Sequence, residues 1–256
     1  MQTSRRRAHN AAVRKTSLHE RFPATRWSAI RASAEIGTGT RKQGFARLVA
    51  AYWRPIYVYV RLRHGCADSD ARDLTQDFFA ECWERNTLSA FDPARARFRT
   101  FVRTCVDRHV VDRHRRDYAQ KRGGEWDHVS IDIVQIERDT ALIDPALSAD
   151  PERLFEAEWT RSLLLQALAD LRTSYASQSK ELDLALFDEY ELAAGNRPSY
   201  AELAIHYRVP VTTVTNRLAA LRRALRAKLA ENLREITATE EEYRDESYRI
   251  FGAQPK

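Results

Sequence analysis

The hydrophobic positions recur at intervals of three and four over most of the chain, the spacing of helices that bury one face. Phe45, Leu48, Val49, Tyr52 and Trp53 begin one such run, and Pro55 is expected to kink or restart a helix continuing through Ile56, Tyr59, Val60 and Leu62 to His64-Gly65. A shorter helix is expected before it, capped by Thr25 and carrying Trp27 and Ile30. Asp68-Ser69-Asp70 offers cap oxygens for a helix bearing Leu74, Phe78, Phe79, Cys82 and Trp83. Asp92-Pro93 predicts the start of another, whose apolar stripe is Phe98, Phe101, Val102, Cys105, His109 and Val110, ended by Gly123-Gly124. A second helical unit is expected from Pro151, with Phe155, Trp159, Leu163 and Ala167 on one helix and Leu182, Leu186, Phe187 and Tyr190 on the next. No strand pattern interrupts the series, so the fold class is all-α: two helical domains, the C-terminal one containing a helix-turn-helix.

The organisation expected is a flexible basic arm over 1–21, an N-terminal domain over 22–125 and a linker over 126–150. A C-terminal domain over 151–235 and an acidic tail over 236–256 follow. The tail is marked by Glu240, Glu241, Glu242, Asp245 and Glu246. Charge sharpens this picture. The 256 residues carry a formal charge of +6, and the excess is concentrated between Arg95 and Arg122, where Arg97, Arg99, Arg103, Arg108, Arg113, Arg115, Arg116 and Lys121 face only Asp107, Asp112 and Asp117. A basic helix of this kind suits an anionic partner, since neutralised phosphates release counterions.

The clearest local signal is Ser199-Tyr200-Ala201-Glu202-Leu203-Ala204, a capping box leading into an apolar face. It is followed by a turn and by Val214, Leu218, Leu221 and Leu225 on the next helix. That second helix would present Thr212, Thr213, Thr215, Asn216, Arg217, Arg222 and Arg223 outward, residue types that bond phosphates and base edges in the major groove. Asp70, Asp73 and Asp77 form an acidic stripe near Trp83 that suits a basic, partly apolar helical surface.

These segments resemble sigma factors of the extracytoplasmic-function (ECF) kind. Tyr200 to Arg226 resembles the family's promoter-binding C-terminal domain; Asp73-Leu74-Thr75-Gln76-Asp77-Phe78-Phe79 with Trp83 is similar to its core-binding helix. Phe91-Asp92, Phe98-Arg99-Thr100-Phe101-Val102 and the basic run from Asp112 to Arg116 resemble the helix that opens the minus-ten element. The resemblance implies that Asp70, Asp73, Gln76, Asp77 and Trp83 meet the clamp helices of the largest subunit of RNA polymerase core. It assigns the minus-ten element to Arg99, Arg103, Arg108, Arg113, Arg115 and Arg116, and the minus-thirty-five element to the seven residues of the recognition helix. It also implies an extruded base held near Arg103 to Arg108; Phe98 and Phe101 themselves read as core. Many relatives are held by an anti-sigma factor, although no residue here marks one. Arg108 stands where many relatives have asparagine, and Ala219-Ala220 replaces His-Arg, departures that bear on promoter sequence.

Other functions fit less well. Cys66, Cys82 and Cys105 lack C-x-x-C spacing and are expected as buried free thiols. His109 and His114 are five apart and diverge on a helix, so no metal site is expected; no cofactor motif and no nucleophile elbow occurs. No run of apolar residues is long enough to span a membrane, so a cytoplasmic, non-enzymatic protein is expected. The principal alternative is a stand-alone helix-turn-helix regulator of duplex operators, which leaves the acidic and basic N-terminal helices without a task. An RNA-binding adaptor would use the arginines but not the helix-turn-helix.

Overall fold

The computed structural model describes residues 38–120, 150–193 and 195–252; the basic arm, the helix expected near Trp27 and the linker lie outside them. Among the described residues the chain is entirely helical. In order come α1 (Thr38–Arg63), α2 (Asp68–Arg85), a 3-10 turn (Thr87–Ala90), α3 (Phe98–Gln120), α4 (Pro151–Ala176), α5 (Glu181–Glu191), α6 (Tyr200–Tyr207), α7 (Val211–Ile236) and α8 (Glu240–Phe251).

Local signals account for several boundaries. Asp150 caps α4 by accepting from the Arg153 amide at 3.0 Å, with Pro151 in the first turn. Ser199 and Glu202 close the expected capping box on α6. Asn86 ends α2 in the left-handed conformation, and Gly252 ends α8 likewise at φ 67°.

Three expectations are corrected. Pro55 neither breaks nor restarts α1, which runs unbroken past it; residues 51–60 are all buried, and that packing outweighs one missing backbone bond. Asp68 does not cap α2, whose N-cap is Ala67; its carboxylate instead accepts from Tyr57 and, at 2.6 Å, from Arg72. Asp92-Pro93 starts a turn, with Asp92 accepting from the Ala94 amide at 3.0 Å, and the helix begins only at Phe98. The cap for that later start comes from far along the chain, because Glu242 accepts from the Phe98 amide at 2.8 Å.

Two apolar clusters hold the helices. The first joins Tyr52, Trp53, Ile56 and Tyr59 of α1 with Phe78 and Phe79 of α2, Phe98, Val102, Val106 and Val110 of α3, and Phe155, Trp159 and Leu163 of α4. Leu229, Leu233 and Ile236 of α7 and Tyr243 of α8 complete it. The second is built from Leu171 of α4, Leu186 and Phe187 of α5, Leu203 and Ala204 of α6, and Val214, Leu218 and Leu221 of α7. Thus α4 and α7 contribute to both. Each has 26 residues, and a helix of that length reaches about 39 Å, enough to serve as a shared beam. Phe155 lies between Tyr52 and Tyr59, with ring centroids 6.4 and 5.8 Å away. Behind it Arg54 of α1 and Glu158 of α4 form an ion pair, both buried.

All three cysteines are free; Cys82 and Cys105 are buried and Cys66 is half-buried. No described helix is long and apolar enough to cross a membrane.

Candidate nucleic-acid and polymerase interfaces

On α2 the acidic stripe follows from helical spacing. Asp70 and Asp73 are exposed, while Gln76 and Asp77 are half-buried. The stripe borders the end of α3: an open cavity of about 310 Å³ is lined by Asp70, Asp73 and Asp77 together with Arg113 and His114. Arg113 donates to Asp77 at 2.5 Å across it. Trp83, seven residues beyond Gln76 on the same helix, lies with it at the edge of this face. It packs on α1, with its ring 5.1 Å from that of Phe45 and the Arg41 guanidinium 4.2 Å above it. Trp83 is half-buried, with these aromatic and cationic partners on one side of its ring.

Along α3 the stripe of Phe98, Val102, Val106 and Val110 is buried, with Phe101 half-buried against Phe91 and Phe98, so both phenylalanines belong to the core. The candidate arginines divide into three groups. Arg108, Arg115 and Arg116 are exposed. Arg103 is half-buried over the Phe155 ring, and Arg113 is half-buried on Asp77. Arg99 is neither; at 5% exposed, it is sealed between Glu246 of α8, at 2.5 Å, and Glu156 of α4, at 2.8 Å. Its expected role as a surface DNA contact is corrected for this conformation. A buried guanidinium needs anionic partners, and two helices distant in sequence supply them.

Beside Arg108 lies a cavity of about 190 Å³ whose walls include Phe78, Cys82, Thr87, Cys105 and His109. His109 is fixed there by Glu81 at 2.7 Å. Burial pushes the Cys82 thiol far above its ordinary range, so this wall presents a neutral, apolar sulfur.

In the C-terminal part α6 and α7 are joined by the turn Arg208-Val209-Pro210, with Arg208 left-handed at φ 54°. Leu203, Val214, Leu218 and Leu221 are fully buried beneath them. Thr212, Asn216 and Arg223 fall on one exposed stripe of α7, with Thr215 exposed beside it and Thr213 half-buried. Arg217 and Arg222 are held from the side by α5: Arg217 pairs with Asp183, and Arg222 pairs with Glu191 at 2.6 Å while donating to the Tyr200 hydroxyl at 3.2 Å.

Sequence reasoning missed the acidic partners on both sides. Asp183 and Glu191 were visible as acidic positions of α5, one residue beyond a full turn multiple apart, but no local rule aims them at α7. Likewise the acidity of Glu242, Asp245 and Glu246 was plain, whereas their seat on the start of α3 was not.

No curated protein and no solved structure matches the chain. A family model described as ECF sigma factor matches residues 61–234, from the end of α1 through α2, α3, α4, α5 and α6 to the end of α7. The match takes in more than half of the chain, and the all-helical architecture agrees with it. The chain therefore belongs to the ECF sigma factor family, whose members act with RNA polymerase in transcription initiation.

Proposed function

We propose that this protein recruits RNA polymerase core to promoters bearing minus-ten and minus-thirty-five elements, and helps to open them without catalysing a reaction of its own. In this reading Asp70, Asp73, Gln76 and Asp77 on α2 engage the clamp helices of the largest subunit. The exposed side of α3, with Arg108, Arg115 and Arg116, follows the minus-ten backbone, and the half-buried Arg103 and Arg113 join it from their places on Phe155 and Asp77. The stripe of Thr212, Asn216 and Arg223 enters the major groove of the minus-thirty-five element. Thr213, Thr215, Arg217 and Arg222 flank it and meet the adjoining phosphates.

One observation carries the reading: a single family match spans the acidic helix, the basic helix and the α6–α7 pair in one chain. A stand-alone regulator of duplex operators has use for the last of these alone. The cavity beside Arg108 supports a further element of the proposal, since its phenyl and thiol walls suit the flat face of an extruded base.

Run-off transcription tests the proposal. Purified bacterial core polymerase is given a pool of promoters from the source genome, with and without this protein. Initiation at defined start sites that depends on the protein supports it. Silence of the core enzyme, with a retained shift of duplex DNA, would instead establish the stand-alone regulator.

A further inference from the structure

Helix α8 lies beyond the stretch matched by the family model, so the match gives it no role. Its seat is made mostly of charge. The residues it buries are Glu242, Tyr243, Glu246 and Ser247. Tyr243 is the apolar anchor among them, stacked on Arg234 at 4.3 Å, and Ile250 and Phe251 are only partly covered. Glu242 accepts from the amides of Phe98 at 2.8 Å and Ala238 at 2.9 Å. Glu246 receives Arg99 at 2.5 Å and Arg97 at 3.4 Å, and Asp245 receives Arg97 at 2.6 Å. Arg249 of α8 reaches Glu156 of α4 at 3.4 Å, behind Arg99.

Three carboxylates of one helix therefore occupy the first amide of α3, the guanidinium of Arg99 in its first turn and that of Arg97 just before it. These are the groups that a phosphodiester backbone would seek, anionic oxygens being matched to a helix N-terminus and to arginine forks. We propose that α8 is an intramolecular stand-in for nucleic acid: seated, it holds Arg97 and Arg99 on carboxylates, and on release it yields both to DNA phosphates. The proposal rests on the reading of α3 as a nucleic-acid face. It accounts for one side of the burial of Arg99, which is 5% exposed: α8 covers the guanidinium through Glu246, while Glu156 and Trp159 of α4 hold its other side.

The chemistry of the seat suits exchange. Ion pairs can be replaced one for one by phosphates, and their exposed members weaken with salt, whereas a mainly apolar seat would have no such competitor. Burial also pushes the Glu246 carboxyl above its usual range despite Arg99 and Arg97 beside it, so its ionised form is held in the seat against a desolvation penalty.

The test uses the full chain and a fluorescein-labelled single-stranded oligonucleotide of mixed sequence. Asp245→Asn combined with Glu246→Gln keeps the shape of α8 and removes its charge on the two arginines. It is expected to bind the probe about three- to tenfold more tightly than the natural chain. In the natural chain, the probe is expected to speed hydrogen exchange at the amides of Glu242 to Phe251 while leaving those of α2 unchanged. A fourfold alanine variant at Arg103, Arg108, Arg115 and Arg116 checks the underlying reading. If that variant loses affinity while the α8 variant binds as the natural chain does and α8 exchange is unmoved by the probe, α8 is a structural brace and the proposal is overturned alone. If the fourfold variant binds normally, the reading of α3 falls and takes the proposal with it. Should the α8 variant fail to fold, the exchange measurement on the natural chain decides.

Discussion

The Arg113 guanidinium lies 2.5 Å from the Asp77 carboxylate, so the basic end of α3 and the acidic stripe of α2 meet in one ion pair. Both side chains are about one-third exposed, at 38% and 34%, which limits the pair's contribution to folding to about 1 kcal/mol or less. In the proposed function the pair couples the two surfaces, because Asp77 would then face polymerase and Arg113 DNA.

Asp70 and Asp73 carry the stripe beyond that pair and are exposed. Reversing both, Asp70→Lys with Asp73→Lys, is expected to weaken retention by core polymerase by about tenfold or more, since like charges then face a basic surface. Thermal unfolding should be little changed. Co-purification with core enzyme at the natural level would refute the assignment of α2.

Arg223 is exposed on α7 while Arg217 is paired with Asp183, so the proposed function predicts different effects for the two. Arg223→Ala removes an exposed guanidinium and should cost about 1–3 kcal/mol in binding to a minus-thirty-five duplex if it reads a base. Arg217→Ala should weaken the same binding and also lower stability, because it leaves the Asp183 carboxylate without that partner. Association with core polymerase should survive both changes. Equal loss of duplex and core binding would overturn the division of labour between the two ends of the chain.

Glu158→Ala tests the joint between α1 and α4. It leaves the Arg54 charge buried without its carboxylate, and a loss of about 3–5 kcal/mol in urea unfolding is expected. The combined replacement Arg54→Met with Glu158→Leu should recover most of that loss, because both desolvation costs vanish with the charges. A double variant as unstable as the single one would show that shape, not charge, holds the joint.

Alkaline pH acts through Tyr59, whose hydroxyl is pushed up to about 12 by burial first and by the Asp107 carboxylate next. The folded state thus favours the neutral phenol more strongly than the unfolded chain does. Its contribution is complete below about pH 10, the ordinary tyrosine value, and is lost as pH rises from there through about 12. Thermal stability should fall across that window, and Tyr59→Phe should flatten part of the fall. An identical pH profile for the variant would remove Tyr59 as a contributor.

Helical class, the capping box at Ser199, the start at Pro151 and the order of acidic, basic and paired C-terminal helices all follow from the sequence, because each depends on residues within a few turns of one another. Most of the candidate residues were legible for the same reason, as helical spacing alone places Asp70 with Asp73 and Thr212 with Asn216. Tertiary structure decided what those residues face. Pro55 stays helical because the surrounding residues are buried on every side, and α3 starts at Phe98 because Glu242 brings it a cap from the far end of the chain. Arg99 was drawn out of the basic face by Glu246 and Glu156, and Arg217 and Arg222 were steadied by Asp183 and Glu191. The physical reason is range. Periodicity and capping are local, whereas a charge can be neutralised by any residue the packing brings near, and sequence distance says nothing about which.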